Sequence, residues 1–354
     1  DRKPVIITKQ RSLVNTYLNE LTSITGDAAR QYIVAAHTHW HQRWFAYNCA
    51  VNTYERGIKT GWSVWKDETR KRHYVYADAT DLLIDEAQDF TQTEMNDILS
   101  HFGNLKSVHF FGDDNQQIYE GFFGQTPQLS MNRLVEYAKQ YGSKEVFEQK
   151  LYNNYRLPNP VAEFVDAVEG PETGLGEQCF GKRTDIPRLL RFPSDADVLS
   201  TIKKLVRLHK GQTSNYRAAV ICFTCSECES SFQTLSEEHK EDTDIVIAQT
   251  RGALDRGNKN YQDPRGPKTI DGNEISSVNE VVTTAFSSKG LQYDDVFVLV
   301  DDFIKENGQW PISVLNVLHV ALTRTQGGLF VCYVNDAAYR PFADVPVNCY
   351  KTEL

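Results

Sequence analysis

The sequence contains no apolar run near the roughly 18–20 residues that a membrane-spanning helix requires, so no bilayer span is expected. Its first residues, DRKPVIITKQ, lack the pattern of a secretory signal. Seven cysteines, an odd number at irregular spacing, do not make a disulfide framework and fit a reducing compartment. A cytoplasmic setting is therefore the default expectation. Positive charge is not in excess: 38 Lys and Arg stand against 47 Asp and Glu, for a formal net charge of −9. That excludes polyanion binding driven by overall charge and leaves it to local patches. Internal repeats and low-complexity tracts are absent. Also missing is any Gly-x-x-x-x-Gly-Lys-Ser/Thr loop, whose backbone N–H groups and Lys cradle the phosphates of a nucleotide. RGIKTG (56–61) has a Lys-Thr but the wrong glycine spacing.

What is present is ordinary for a globular protein, with 40% hydrophobic and 24% charged residues. A chain of 354 residues is long enough for two domains, because single cores stop growing near roughly 250–300 residues. KPVIITK (3–9) and QYIVAAH (31–37) read as buried strands, and TDLLID (80–85) and SVHFFGD (107–113) as two more short apolar strands. RSLVNTYLNELTSITG, closing on Gly26, and TQTEMNDILSHFG carry helical periodicity between them. Strands alternating with helices imply an α/β fold with a parallel sheet and functional loops at the carboxyl ends of its strands. The pattern restarts after Gly142 with KEVFEQKL, NPVAEFVDAV, AAVICFT, EVVTTAF, DDVFVLV and GGLFVCYV, which places a domain boundary near residue 143. Residues 251–274, with four glycines, two prolines and mixed charges, read as a loop or a reduced insertion.

TDLLIDEAQDF (80–90) empties an apolar strand into four polar residues. A strand ending in Asp-Glu can set Asp85 on the magnesium of a bound nucleotide and Glu86 beside an attacking water. The plainer alternative is a solvated turn after a strand. FFGDDNQQIY (110–119) repeats the form: a strand runs into Gly112-Asp113, and Gln116 follows where its uncharged amide can sense a terminal phosphate. An ordinary polar turn is the alternative there. Four of five tryptophans, Trp40, Trp44, Trp62 and Trp65, are interleaved with Arg43, Arg56, Lys59, Lys66, Arg70, Lys71 and Arg72. Aromatics stack on bases while cations track phosphates, as on a single-strand platform; a small subdomain with a Trp core and a basic face has the same composition. CFTCSEC brings Cys222, Cys225 and Cys228 to a metal-like spacing, yet reads as a buried strand entering a helix.

Taken in order, these segments resemble the superfamily 1A helicases of the UvrD/Rep type. DEAQD (85–89) is similar to motif II, GDDNQQIY (112–119) to motif III, LYNNYR (151–156) to motif IV, TAFSSKGLQYDDV (284–296) to motif V and NVLHVALTRT (316–325) to motif VI. VIITKQRSL (5–13) and IVAAHTHW (33–40) are fainter matches to motifs Ia and Ib. The resemblance implies two tandem RecA-like domains: 1–142, with a small insertion at about 41–78, and 143–354, with a reduced one at about 251–274. ATP and Mg²⁺ would lie in the cleft between them. Asp85 would hold the metal, Glu86 and Gln116 would handle water and γ-phosphate, Gly290 and Gln292 would contact the nucleotide, and Arg156 and Arg324 would serve as arginine fingers. Thr8, His39, Trp40, Tyr119, Phe122 and Thr284 would contact nucleic acid. The implied activity is 3′-to-5′ translocation on single-stranded or partly duplex DNA, alone or with a nuclease or other DNA-processing subunit, and without a membrane.

The chain departs from the family at three places. Phe286 and Gln292 replace the usual His and Glu of motif V, EGFFGQ follows Tyr119 without the expected Arg, and the phosphate loop is missing. Motif Ia begins almost at residue 1, so the expectation is a first domain that starts after its phosphate loop. The alternatives are a non-catalytic nucleotide- or nucleic-acid-binding subunit of a larger complex, or an RNA-directed ATPase.

Overall fold

The computed structural model describes residues 4–9, 11–26, 33–38, 43–48, 53–54, 63–66, 72–75, 79–100, 102, 105–118, 128–140, 145–170, 174–176, 179–180, 185–212, 215–238, 247–249, 279–300 and 312–354. The chain divides into two compact units, one built on Asp1–Gln149 and one beginning at Lys150.

In the first unit the order is β1 (Pro4–Thr8), α1 (Arg11–Thr25), β2 (Ile33–Thr38), β3 (Arg43–Asn48), β4 (Thr53–Tyr54), β5 (Ser63–Lys66), β6 (Arg72–Val75), β7 (Asp81–Asp85), α2 (Gln92–Ser100), β8 (Ser107–Phe110) and α3 (Met131–Gln140). Strands align as β4-β3-β2-β1-β7-β8. From β2 through β1 and β7 to β8 every pairing is parallel, and β3 and β4 add on antiparallel. β5 and β6 pair separately as an antiparallel ribbon. Val5, Ile7, Leu82 and Ile84 of the central strands are fully buried against Met95 and Ile98 of α2 and Leu134 of α3. At roughly 25 cal/mol per Å² of apolar surface, this burial is the main force holding β1 and β7 side by side.

Local chemistry sets the helix ends. Gly26 closes α1 at φ +53°, a conformation that glycine adopts without strain. α2 opens on a capping box: the Glu94 carboxylate accepts from Thr91 N–H at 3.0 Å, and Thr91 Oγ1 accepts from Glu94 N–H at 3.3 Å.

The second unit runs α4 (Asn159–Glu169), β9 (Arg188–Arg191), α5 (Asp195–Lys210), β10 (Ala218–Cys222), α6 (Cys225–Glu238), β11 (Ile247–Gln249), β12 (Glu280–Thr284), α7 (Ala285–Ser288), β13 (Tyr293–Leu299), α8 (Ile312–Leu322), β14 (Thr325–Tyr333) and α9 (Asp336–Tyr339). Its strands align β11-β12-β10-β13-β14-β9, each pairing parallel. β10 and β12 are buried along their whole length, as befits strands covered on both faces. The fold class is thus α/β, two tandem units each on a mostly parallel sheet.

KEVFEQKL departs from its reading as part of a regular element: Glu145–Lys150 forms neither helix nor strand. Phe147 is 87% and Leu151 83% exposed, so the apolar residues of this stretch have no core to pack into and no periodicity is enforced. The 251–274 stretch lies outside the described residues. No helix among the described residues is long and apolar enough to cross a membrane.

Candidate functional site

Because β1, β7 and β8 are parallel, their carboxyl ends share one edge of the first sheet, the edge where open α/β sheets carry their sites. Thr8 and Asp85 are register partners there. Thr8 is fully buried, and next to it Lys9 forms a buried ion pair with Glu94 and lies over the Phe90 ring. Burial lowers the Lys9 pKa, with Glu94 acting in the opposite sense.

Asp85 is partly buried, and its Oδ2 accepts a hydrogen bond from the Tyr17 hydroxyl of α1. Burial first and the Asp85 charge second push the Tyr17 phenol well above its usual range, so it remains a donor at any physiological pH. Magnesium takes one or two carboxylates together with phosphate oxygens and waters. A partly exposed carboxylate at the sheet's carboxyl edge, oriented by a phenol that stays protonated, fits that requirement.

Glu86 has φ 53° and ψ 41°, left-handed for a residue with a Cβ. Such a conformation costs on the order of 1–3 kcal/mol and persists where its surroundings over-determine it. Here the pairing of β7 and β8 continues on both sides of it: Phe111 N–H donates to Ile84 O at 2.8 Å and Ala87 N–H to Phe111 O at 2.8 Å. The chain then tightens into a short 3₁₀ turn, Ala87–Asp89, all buried.

Gln88, fully buried, donates from Nε2 to Glu86 Oε2 at 2.7 Å and accepts at Oε1 from Asp113 N–H at 3.2 Å. Beyond β8, Gln116 Nε2 donates to Asp113 Oδ2 at 3.0 Å, and Gln117 Nε2 to the Gln88 carbonyl at 3.1 Å. The structure therefore joins Glu86 and Gln116 through Gln88 and Asp113, with Asp85 next to Glu86 in the chain. Gly112 makes the approach possible. A Cβ there would overlap Gln88 Oε1 and sit 2.6 Å from Met131 Sδ. Gly112→Ala is expected to cost about 1–3 kcal/mol through overpacking, measured by denaturant unfolding against Gly211→Ala. A Cβ at Gly211 meets nothing closer than 3.6 Å, and its backbone is right-handed helical.

In the second unit Arg324 is 1% exposed. Its Nε donates to Val320 O at 2.8 Å and its Nη2 to Thr323 Oγ1 at 2.9 Å, fixing the side chain against the end of α8. Thr323 is held in turn by His319 O, and the His319 ring faces Glu169 of α4 at 2.9 Å, both side chains nearly fully buried. Arg156 is partly buried; its N–H and that of Leu157 both donate to Asn154 Oδ1 at 3.1 Å. Thr284 caps α7, accepting from Ser287 N–H at 3.3 Å. Gly290 takes φ +77°, and Gln292 accepts from Gln326 Nε2. Near Arg324, the Tyr293 phenol is pushed up to about 12, burial outweighing the opposing charges of Arg217 and Arg324.

His39, Trp40, Tyr119 and Phe122 lie outside the described residues, as do Trp62 and, of the interleaved cations, Arg56, Lys59, Arg70 and Lys71. Trp44 and Arg43 fall on β3, Trp65 and Lys66 on β5, and Arg72 on β6. Among the described residues no cluster of three or more His, Cys, Asp or Glu is arranged to hold a metal. A side-chain hydrogen bond with Cys228 and then burial raise Cys222 well above the ordinary thiol range, away from the thiolate that a metal would need.

Sequence reading missed Tyr17 and the bridging role of Gln88. Tyr17 carries no motif signal; Gln88 stood within DEAQD, but its partner at Asp113 is visible only once β7 and β8 are paired.

No protein-family model matches the sequence, and no curated protein matches it. Among solved structures, the chain is similar to the C-terminal domain of a possible DNA helicase from Lactobacillus plantarum WCFS1, at 15% identity and a TM-score of 0.37, covering 56% of this chain and 98% of that one. It is also similar to S. cerevisiae Dbp5 bound to RNA and ADP BeF3, at 12% identity and a TM-score of 0.47, covering 100% of this chain and 78% of that one. Both likenesses are remote.

Proposed function

We propose that this chain supplies the water-activating and arginine-bearing parts of an ATP-dependent motor on single-stranded nucleic acid, of the UvrD/Rep-like superfamily 1A type with DNA as its track and 3′-to-5′ as its direction. The observation that carries the reading is Glu86: a strained carboxylate at the carboxyl end of a central parallel strand, beside Asp85, bonded through Gln88 to the turn that bears Gln116. Backbone strain of this kind clusters at functional sites, and a base for water has to be held within reach of it. Asp85 would hold Mg²⁺, which when bound supplies Lewis-acid polarisation of the phosphate oxygens. Glu86 orients and deprotonates the attacking water, Gln116 reads the terminal phosphate, and Gly290 and Gln292 contact the nucleotide. Arg156 and Arg324 neutralise the charge that grows on the phosphoryl oxygens. Thr8, His39, Trp40, Tyr119, Phe122 and Thr284 are the proposed contacts to the strand.

The test is ATP hydrolysis by the full-length protein with and without single-stranded DNA or RNA of equal length. Stimulation of at least tenfold by DNA and not RNA is the expected result. Equal or greater stimulation by RNA would reassign the track, and no hydrolysis with nucleotide still bound would favour a non-catalytic regulatory subunit.

A further inference from the structure

Gln88 is fully buried, and a buried carboxamide is costly unless both of its ends are bonded. Both are: Nε2 donates to Glu86 Oε2 at 2.7 Å and Oε1 accepts from Asp113 N–H at 3.2 Å. The orientation follows from the partners. Turned over, the amide would set its oxygen against a carboxylate oxygen and its N–H₂ against a backbone N–H, two mismatches in place of two bonds. The backbone of Gln88 is tied to the same turn, since Gln117 Nε2 donates to its carbonyl at 3.1 Å. That turn is itself braced on Asp113, which accepts from Asn115 N–H at 3.0 Å and from Gln116 Nε2 at 3.0 Å. The amide oxygen also packs closely on Gly112, where even a methyl group would overlap it. A shift of the 113–117 turn must therefore break the Asp113 N–H bond or carry the amide, and the Glu86 carboxylate, along with it.

We propose that Gln88 is the positioning residue of Glu86 and reports the state of the 113–117 turn to it, so that a phosphate met at Gln116 sets the carboxylate that activates water. This rests on the hydrolytic reading of Glu86. Gln88 itself touches no reacting atom; it acts by fixing the rotamer of the base.

The experiment uses the full-length protein and four variants: Q88M, which keeps the side-chain volume but removes the amide, Q88E, E86Q and the double variant Q88M/E86Q. Q88M is expected to lower kcat for ATP about 10²-fold, the scale of a misplaced catalytic group, with KM within about threefold. The double variant is expected to be no slower than E86Q, because a residue acting through Glu86 has nothing left to position. Q88E keeps an oxygen to accept from Asp113 N–H but loses the N–H₂ that donates to Glu86, so its kcat is expected to fall as in Q88M with KM within about threefold. A residue that only holds the turn in place predicts wild-type turnover in Q88E instead. Without nucleotide, the Asp113 amide is expected to exchange with solvent at least about tenfold faster in Q88M, and at the wild-type rate in Q88E, which keeps the acceptor.

Q88M turning over at the wild-type rate beside an inactive E86Q overturns the role of Gln88 alone. So does an unchanged Asp113 exchange rate, or losses in Q88M and E86Q that multiply in the double variant. Wild-type turnover in E86Q overturns instead the hydrolytic reading on which the proposal stands.

Discussion

Glu86→Gln lowers ATP hydrolysis by roughly 10²–10⁴-fold, the usual contribution of a positioned general base, and leaves nucleotide affinity within about threefold. The separation is expected because the substitution is nearly silent for the structure. A Gln at position 86 keeps an oxygen to accept from Gln88 Nε2, now held at 2.7 Å from Glu86, and its side-chain volume is unchanged. The left-handed backbone at φ 53° is fixed by the flanking β7–β8 bonds rather than by the side chain. What is lost is the negative charge that, on the proposed mechanism, takes a proton from water. Single-turnover hydrolysis and equilibrium binding of a fluorescent ATP analogue, run on the same preparation, give the two quantities. Unchanged turnover would remove Glu86 from the mechanism, and a parallel loss of affinity would recast it as a binding residue.

The parts of the first unit that were legible in the sequence are those specified by neighbours in the chain. Leu82–Ile84 form an apolar run bounded by charge, and that run is the centre of β7, with Leu82 and Ile84 buried. Thr91 and Glu94 have capping-box spacing, and they cap α2. What was illegible depends on partners distant in sequence. The Gln88–Asp113 bond spans 25 positions and exists because β7 pairs with β8 in one register. Tyr17 reaches Asp85 across 68 positions, from a helix whose periodicity says which face is apolar but not which polar group it meets. KEVFEQKL failed for the opposite reason. Its local pattern is plausible, but periodicity becomes structure only where a buried face rewards it, and Phe147 and Leu151 are exposed. β9 was overlooked because Arg188 and Arg191 bracket only two apolar residues, yet Leu189 and Leu190 are buried beside β14.

Burial also changes what can be asked of Arg324. The resemblance of NVLHVALTRT to motif VI implies a finger extended toward a phosphate, whereas the structure anchors its Nε and Nη2 on Val320 O and Thr323 Oγ1 with the side chain 1% exposed. The two roles are separable with Arg324→Lys. Lysine keeps the charge but lacks the planar fork, so it cannot hold both acceptors and present a further N–H to a phosphoryl oxygen. Stranding one buried acceptor costs about 1–3 kcal/mol, which should appear as a lower midpoint in thermal or denaturant unfolding. If Arg324 is also a finger, single-turnover hydrolysis in the folded variant falls by a further factor on the order of 10³–10⁵, far beyond what the stability loss explains at temperatures where the variant remains folded. Nucleotide binding should change much less, because a finger acts chiefly on charge that develops during transfer. A variant that melts earlier yet hydrolyses ATP at the wild-type rate while folded would make Arg324 a structural brace for α8, leaving Arg156 as the remaining candidate. The Thr323–His319–Glu169 chain that supports the same helix end would then share that purely structural task.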